Sequence, residues 1–148
     1  EGAVGIAARA REINDSMAAY SVARLEEALG SLEGATVLIL GLAYRPNVRE
    51  ASHSSALLLA AALRERGARP LVHDPWFSDD EVRALGLEPP ETFPPAHVDA
   101  LIVQALHDAY GELDVRMFPG CRVVLDGRNV LDRAPIEAAD ARYLGVGR

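Results

Sequence analysis

Cysteine, aromatics and clustered basic charge are all scarce in this chain, and each scarcity removes a class of protein. Cys121 is the single cysteine in 148 residues, so there is no internal disulfide framework. Its place between Gly120 and an apolar run reads as a small buried thiol rather than a nucleophile. Lys and Arg number 15 against 22 acids, for a formal charge of −7, and they are scattered among the acids. Gripping a phosphate backbone takes a basic stripe, so no nucleic-acid partner is expected. No apolar run reaches the roughly 18 residues that cross a bilayer, and nothing has the pattern of a signal peptide. No membrane association is expected, and the cytoplasm is the default location. His53, His73, His97 and His107 lack metal-ligand spacing and have neither an H-E-x-x-H nor a cysteine pair beside them, so no metal site is assigned.

Residues 3–32 carry helical periodicity with one defect. Ile6, Ala10, Ile13 and Met17 recur on one stripe, and Ala18, Val22, Leu25, Leu29 and Leu32 on another, displaced by one residue. One helix therefore shows two faces, as expected of a helix that leaves one folding unit and docks on the next; a curved helix around one core is the alternative. The helical pattern is already under way at Glu1, so the chain is expected to be a fragment of a longer protein.

From residue 34 the pattern becomes βα. An apolar strand is expected over 35–40, and its unbroken apolar character suits a parallel strand covered on both faces. Ser54 is placed to cap a helix over 55–66 that ends on Gly67, and a second strand follows over 70–73. Ser78 and Glu81 have the spacing of a capping box, for a short helix closed by Gly86. Strands are expected over 99–103 and 122–125, a helical turn over 108–113, and an edge strand over 143–146. Strands alternating with helices at this spacing give an α/β fold, a Rossmann-like doubly wound parallel sheet preceded by a long N-terminal helix. Ligands in such sheets sit beyond the carboxyl ends of the strands, where Tyr44, Arg45, Asp74, His107 and Arg128 fall.

The first strand ends on Gly41, then enters Leu42-Ala43-Tyr44-Arg45-Pro46-Asn47-Val48. A dinucleotide fingerprint would open directly into a helix through G-x-G-x-x-G; only Gly41 is present, ahead of a loop of about ten residues, which favours a mononucleotide over NAD. Tyr44 can stack on a base or ribose, and Arg45 can grip phosphate oxygens in a bidentate fork. Asp74 ends the second strand where a dinucleotide fold places its ribose acid, but it stands 33 residues after Gly41, and Asp74-Pro75 also suits a turn. Gly127 permits a tight turn that aims Arg128 over the strand ends; a surface pair of Arg128 with Asp126 is the alternative.

These motifs together, Gly41 to Val48, His73-Asp74-Pro75, Asp126-Gly127-Arg128-Asn129, and Ala8-Arg9-Ala10-Arg11-Glu12-Ile13-Asn14-Asp15 ahead of them, resemble the UDP-glucose/GDP-mannose dehydrogenase family. The resemblance implies that residues 1–33 are the end of the central dimerisation helix and residues 34–148 the nucleotide-sugar (UDP) binding domain. It implies Tyr44, Arg45 and Arg128 as UDP-sugar contacts, with Gly41, Asp74 and Gly127 on the nucleotide edge. It also implies a homodimer of the intact protein that oxidises a UDP-hexose to the uronic acid with NAD. The family's NAD domain and catalytic cysteine motif are not in this sequence, so no catalytic residue is assigned and the chain alone is expected to be inactive. Arg45 stands where the family usually has Lys, Arg49 to Ser54 depart from its pattern, and His107 replaces a Trp of some relatives; the identity of the sugar stays open. A stand-alone nucleotide-binding regulatory module on the same fold is the alternative function.

Overall fold

The computed structural model describes residues 2–52 and 54–146; His53 lies outside the described residues. A single long helix, α1 (Gly2–Leu29), leads into β1 (Thr36–Leu40), α2 (Ser55–Glu65), β2 (Arg69–His73), α3 (Asp79–Ala84) and β3 (Ala100–Val103). Two 3₁₀ turns follow, Asp108–Tyr110 and Val115–Met117, then β4 (Val123–Asp126), α4 (Arg133–Ala138) and β5 (Arg142–Gly145). The five strands are all parallel in the order β2-β1-β3-β4-β5. Among the described residues no helix is long and apolar enough to cross a membrane.

Alternation along the strands divides the core between the two faces of the sheet. Val37, Ile39, Ile102 and Leu125 bury against α1 and α2 on one face. Leu38, Leu40, Leu101, Val103 and Val124 bury on the other face with Val115, Phe118 and Ile136. Local chemistry closes the elements as the sequence implies: the Ser54 hydroxyl accepts the Ala56 amide at 3.0 Å, and Ser78 and Glu81 form the reciprocal capping box.

α1 ends at Leu29, three residues short of the expected 32, because Gly30 turns the chain at φ +88° and lets Leu32 enter the core from the connection. The slip in its stripe is structural. Ala18, Val22 and Leu25 are buried in the sheet's core, whereas Ile6, Ile13 and Met17 are exposed at 73%, 55% and 44%. Asn14, Met17, Ala18 and Ser21 lie beside Gly127 and Arg128, so the uncovered half begins at the carboxyl ends of the strands. α4, unforeseen from the sequence, has only Ile136 buried and carries Pro135 in its first turn, where a missing amide costs no helical bond.

From β1 the chain moves outward to β2, then returns across the sheet to β3 and continues outward to β4 and β5. The direction of winding therefore reverses between β1 and β3, and the loops after these two strands diverge to frame a crevice.

Candidate functional site

The crevice is built on Gly41, whose role differs from the expected exposure on the nucleotide edge. It adopts φ +98°, and a Cβ placed on it would lie 2.3 Å from the Ala105 carbonyl oxygen and 2.5 Å from the Ala105 nitrogen. Glycine is required because the turn after β1 is pressed against the turn after β3. Gly41 is thus a packing residue beneath the site.

Asp74 takes the turn role that the sequence offered for Asp74-Pro75. It is 2% exposed, and its Oδ2 accepts the amides of Leu42 at 2.8 Å and Ala43 at 2.9 Å and the Nε2–H of His107 at 2.7 Å. Its Oδ1 accepts the Trp76 amide at 2.8 Å. Both carboxylate oxygens are engaged by the protein, so Asp74 is the hub that shapes the β1 loop. His107 extends the hub: its Nδ1 accepts the Asn47 amide at 2.8 Å, which leaves Nε2 carrying the proton given to Asp74. Asn47 sits at φ +60°, and its side-chain oxygen accepts the Asp108 amide at 2.9 Å. Two loops that diverge from neighbouring strands are in this way locked together through one buried carboxylate, one imidazole and one left-handed asparagine.

The third loop is fixed by Asp126, fully buried, which accepts the Arg128 and Leu131 amides at 3.1 Å and 2.8 Å and the Tyr143 hydroxyl at 2.9 Å. No Asp126 to Arg128 side-chain pair forms, since the carboxylate is spent on its own loop. The expected turn forms over Gly127 and Arg128, with a different division of labour between its residues. The left-handed residue is Asn129, at φ +54°, and Gly127 serves close approach, since a Cβ there would lie 2.8 Å from the Val103 carbonyl oxygen.

Arg128 then reaches across the crevice. Its Nε donates to the Gln104 carbonyl, and one Nη donates to the Tyr44 carbonyl at 3.1 Å. The sequence offered either a cation aimed over the strand ends or a surface pair with Asp126; the structure makes Arg128 a tie between the loops after β1, β3 and β4. Tyr44, 48% exposed, is therefore held by its own backbone at the crevice mouth, and Arg45 follows it in solvent. Tyr44 and Arg128 meet, while Arg45 joins them only through its peptide bond to Tyr44. Two residues of this edge escaped the sequence reading. Trp76, 42% exposed, closes the β2 side, its carbonyl accepting from Arg49 Nε at 3.0 Å; the aromatic immediately after Asp74-Pro75 was the available signal. Gln104, the polar residue that follows the apolar β3, was the other.

A larger apolar cleft of about 440 Å³ lies on the opposite face beneath the 3₁₀ turns and α4. The charged residues lining it are Glu112, Asp114 and Asp132, a set that repels phosphate, so the cationic crevice is the better candidate. Cys121 is held away from both chemistries: burial pushes its thiol up to about 11, and its S–H donates to the Val123 carbonyl at 3.4 Å.

Comparison with known proteins identifies the family. Residues 38–133 match the UDP-binding domain of the UDP-glucose/GDP-mannose dehydrogenase family. The UDP-glucose 6-dehydrogenase TuaD of Bacillus subtilis is 27% identical over 93% of this chain and 31% of its own length. A UDP-N-acetyl-D-glucosamine 6-dehydrogenase of Salmonella typhi is 30% identical over 89% of this chain and 32% of its own. Among solved structures, a UDP-glucose dehydrogenase from Pyrobaculum islandicum superposes with a TM-score of 0.71 at 36% identity, over 91% of this chain and 30% of that one. The chain thus spans about a third of the length of these relatives. A match over most of the sheet and all three crevice loops places the chain in the UDP-glucose/GDP-mannose dehydrogenase family, within its UDP-binding domain.

Proposed function

We propose that this chain holds the UDP part of a nucleotide sugar for an NAD-dependent nucleotide-sugar 6-dehydrogenase. The observation that carries the reading is the tie made by Arg128. One guanidinium binds the carbonyls of Tyr44 and Gln104, and so fixes an aromatic ring and a cationic edge at the switch point of a parallel sheet. Two of its five N–H donors are engaged there, and the rest remain to meet phosphate oxygens beside Arg45. Tyr44 supplies a flat face for base or ribose.

The residues of this chain do not fit NAD. The Gly41 amide is already donated to the His73 carbonyl at 2.8 Å, and the loop from Gly41 to Ser54 separates the glycine from the α2 N-terminus that would hold a pyrophosphate. Oxidising a primary alcohol to a carboxylate removes four electrons and adds the oxygen of one water, and a nucleophile must hold the aldehyde between the two stages. Cys121 is unsuited to that duty by burial. Hydride transfer and aldehyde capture are therefore assigned to residues outside this chain, and the uncovered half of α1 to contact with the remainder of a dimeric enzyme. Calorimetry should show UDP binding more tightly than NAD and no NAD reduction by this chain with UDP-glucose. Tighter NAD binding would overturn the reading.

A further inference from the structure

The loop that carries Tyr44 and Arg45 is held to the rest of the crevice through an imidazole whose two nitrogens have opposite roles. The Tyr44 amide donates to the Glu50 carbonyl and closes the loop, with Asn47 halfway between them. Asn47 is anchored by its own amide, which donates to His107 Nδ1 at 2.8 Å, and by its side-chain oxygen, which accepts the Asp108 amide. His107 Nε2 donates to Asp74 at 2.7 Å, and both of these side chains are fully buried. The arrangement requires a neutral ring with its proton on Nε2 alone.

A second proton is accommodated at Nδ1 with the fewest bonds disturbed. Asp74 accepts four N–H groups, from Leu42, Ala43, Trp76 and His107, whereas Nδ1 accepts one. An imidazolium donates from both nitrogens. Its Nε2–H keeps the bond to Asp74, now charge-assisted, while its Nδ1–H points at the Asn47 N–H, donor against donor. The Asn47 backbone must then turn away. Its φ of +60° lies in the left-handed region, which costs free energy and persists only while neighbours impose it.

The groups around the ring leave this response to His107. Asp74, at the end of β2, is the charge that touches it, so an imidazolium formed here finds its counter-ion in place. Tyr110, from the first 3₁₀ turn, lies 6.1 Å away between centroids and spends its hydroxyl on His73. Trp76 covers another side at 5.9 Å and does not titrate. Asp108, next in the chain, and Arg45, on the loop, are exposed; Arg49 turns to the Trp76 carbonyl and Glu81.

We propose that His107 is an acid-sensitive latch on the loop: uptake of one proton at Nδ1 releases Asn47 and weakens binding of the nucleotide. The inference rests on the nucleotide-sugar reading above for its ligand, and on the Asp74, His107 and Asn47 geometry for its switch.

The test follows the His107 ring nitrogens and the Asn47 backbone amide of the isotopically labelled 148-residue chain by NMR from about pH 8 to 5, with calorimetry of UDP over the same range. At the alkaline end the ring should show the Nε2–H tautomer. On acidification both nitrogens should move to imidazolium values, with the Asn47 amide on the same titration curve. UDP affinity should fall roughly three- to tenfold more in the parent than in His107→Gln. Glutamine has a donor for Asp74 and an acceptor for Asn47 and does not titrate, while the phosphates of UDP and His73 titrate in both proteins and cancel in the comparison. A ring that keeps its neutral tautomer throughout, or that titrates while the Asn47 amide stays in place, overturns the latch. So does an acid loss of UDP affinity as large in His107→Gln as in the parent. Absence of UDP binding at every pH, with His107 and Asn47 still titrating together, overturns the nucleotide reading instead.

Discussion

Arg128 has two duties that a single substitution separates. Its guanidinium ties two loop carbonyls and keeps three of its five N–H donors unengaged by them. Arg128→Ala should weaken UDP roughly ten- to a hundredfold, the usual cost of losing a charge-assisted bond in a partly desolvated site. It should cost only about 1 kcal/mol of stability, because the tie is largely solvent-exposed. Arg128→Lys should recover part of the binding, since an ammonium lacks the planar fork. Calorimetry with thermal melts checks both; unchanged UDP affinity beside a lower melting temperature would leave Arg128 a loop tie alone. The sequence showed that Arg128, Tyr44 and Arg45 fall at the strand ends because that follows from their distance to an apolar run. It could not show what Gly41, Asp74 and Gly127 touch. Those contacts, to Ala105, to the Leu42 and Ala43 amides and to Val103, join segments tens of residues apart, and short-range patterns contain no trace of them.

At the scale of elements, β1 to β5 and α2 were legible to within about a residue, as boundary fraying allows, because each is a short apolar run between turn residues. α4 was not legible: it has six residues and one buried side chain, and its helical form is owed to packing on its neighbours rather than to its own periodicity. α1 gives the clearest gain from reading periodicity closely. Its slip between Met17 and Ala18 marks where burial stops, and residues 2–17 carry an uncovered stripe of Ile6, Ile13 and Met17 about 17 Å long by helical rise. Removing residues 2–17 takes away no residue of the buried core, since Ala18, Val22 and Leu25 remain. The truncated chain should keep its sheet and its circular dichroism in proportion, and sedimentation should show less self-association than the parent. Undiminished association would place the contact elsewhere on the molecule.

Across the whole molecule, folding should weaken as the solution is acidified below neutrality, and one imidazole accounts for the first part of that loss. His73 ends β2, stacks on Phe93 with centroids 3.8 Å apart, and meets the Tyr110 hydroxyl through Nδ1 at 3.0 Å. Tyr110 gives its own proton to the His73 carbonyl at 2.7 Å, so Nδ1–H must be the donor in the other bond. Three segments from different parts of the chain therefore converge on one ring. Burial lowers its pKa from the ordinary 6.5, against the smaller opposing pull of Asp74 and Asp79. Because the folded value lies below the unfolded one, the unfolded chain takes up the proton first. The stability is present above about pH 6.5 and is lost as pH falls through the depressed folded value. Falling pH also reduces the formal charge of −7 and its self-repulsion, which acts in the opposite sense, so total stability alone would blur the effect. The difference between parent and His73→Asn isolates it. Urea unfolding from about pH 8 down to 5 should show the parent's advantage over the variant narrowing with acidity. A gap that stays constant across that range would mean the imidazole is protonated as readily in the fold as outside it, and that acid weakens this protein by another route.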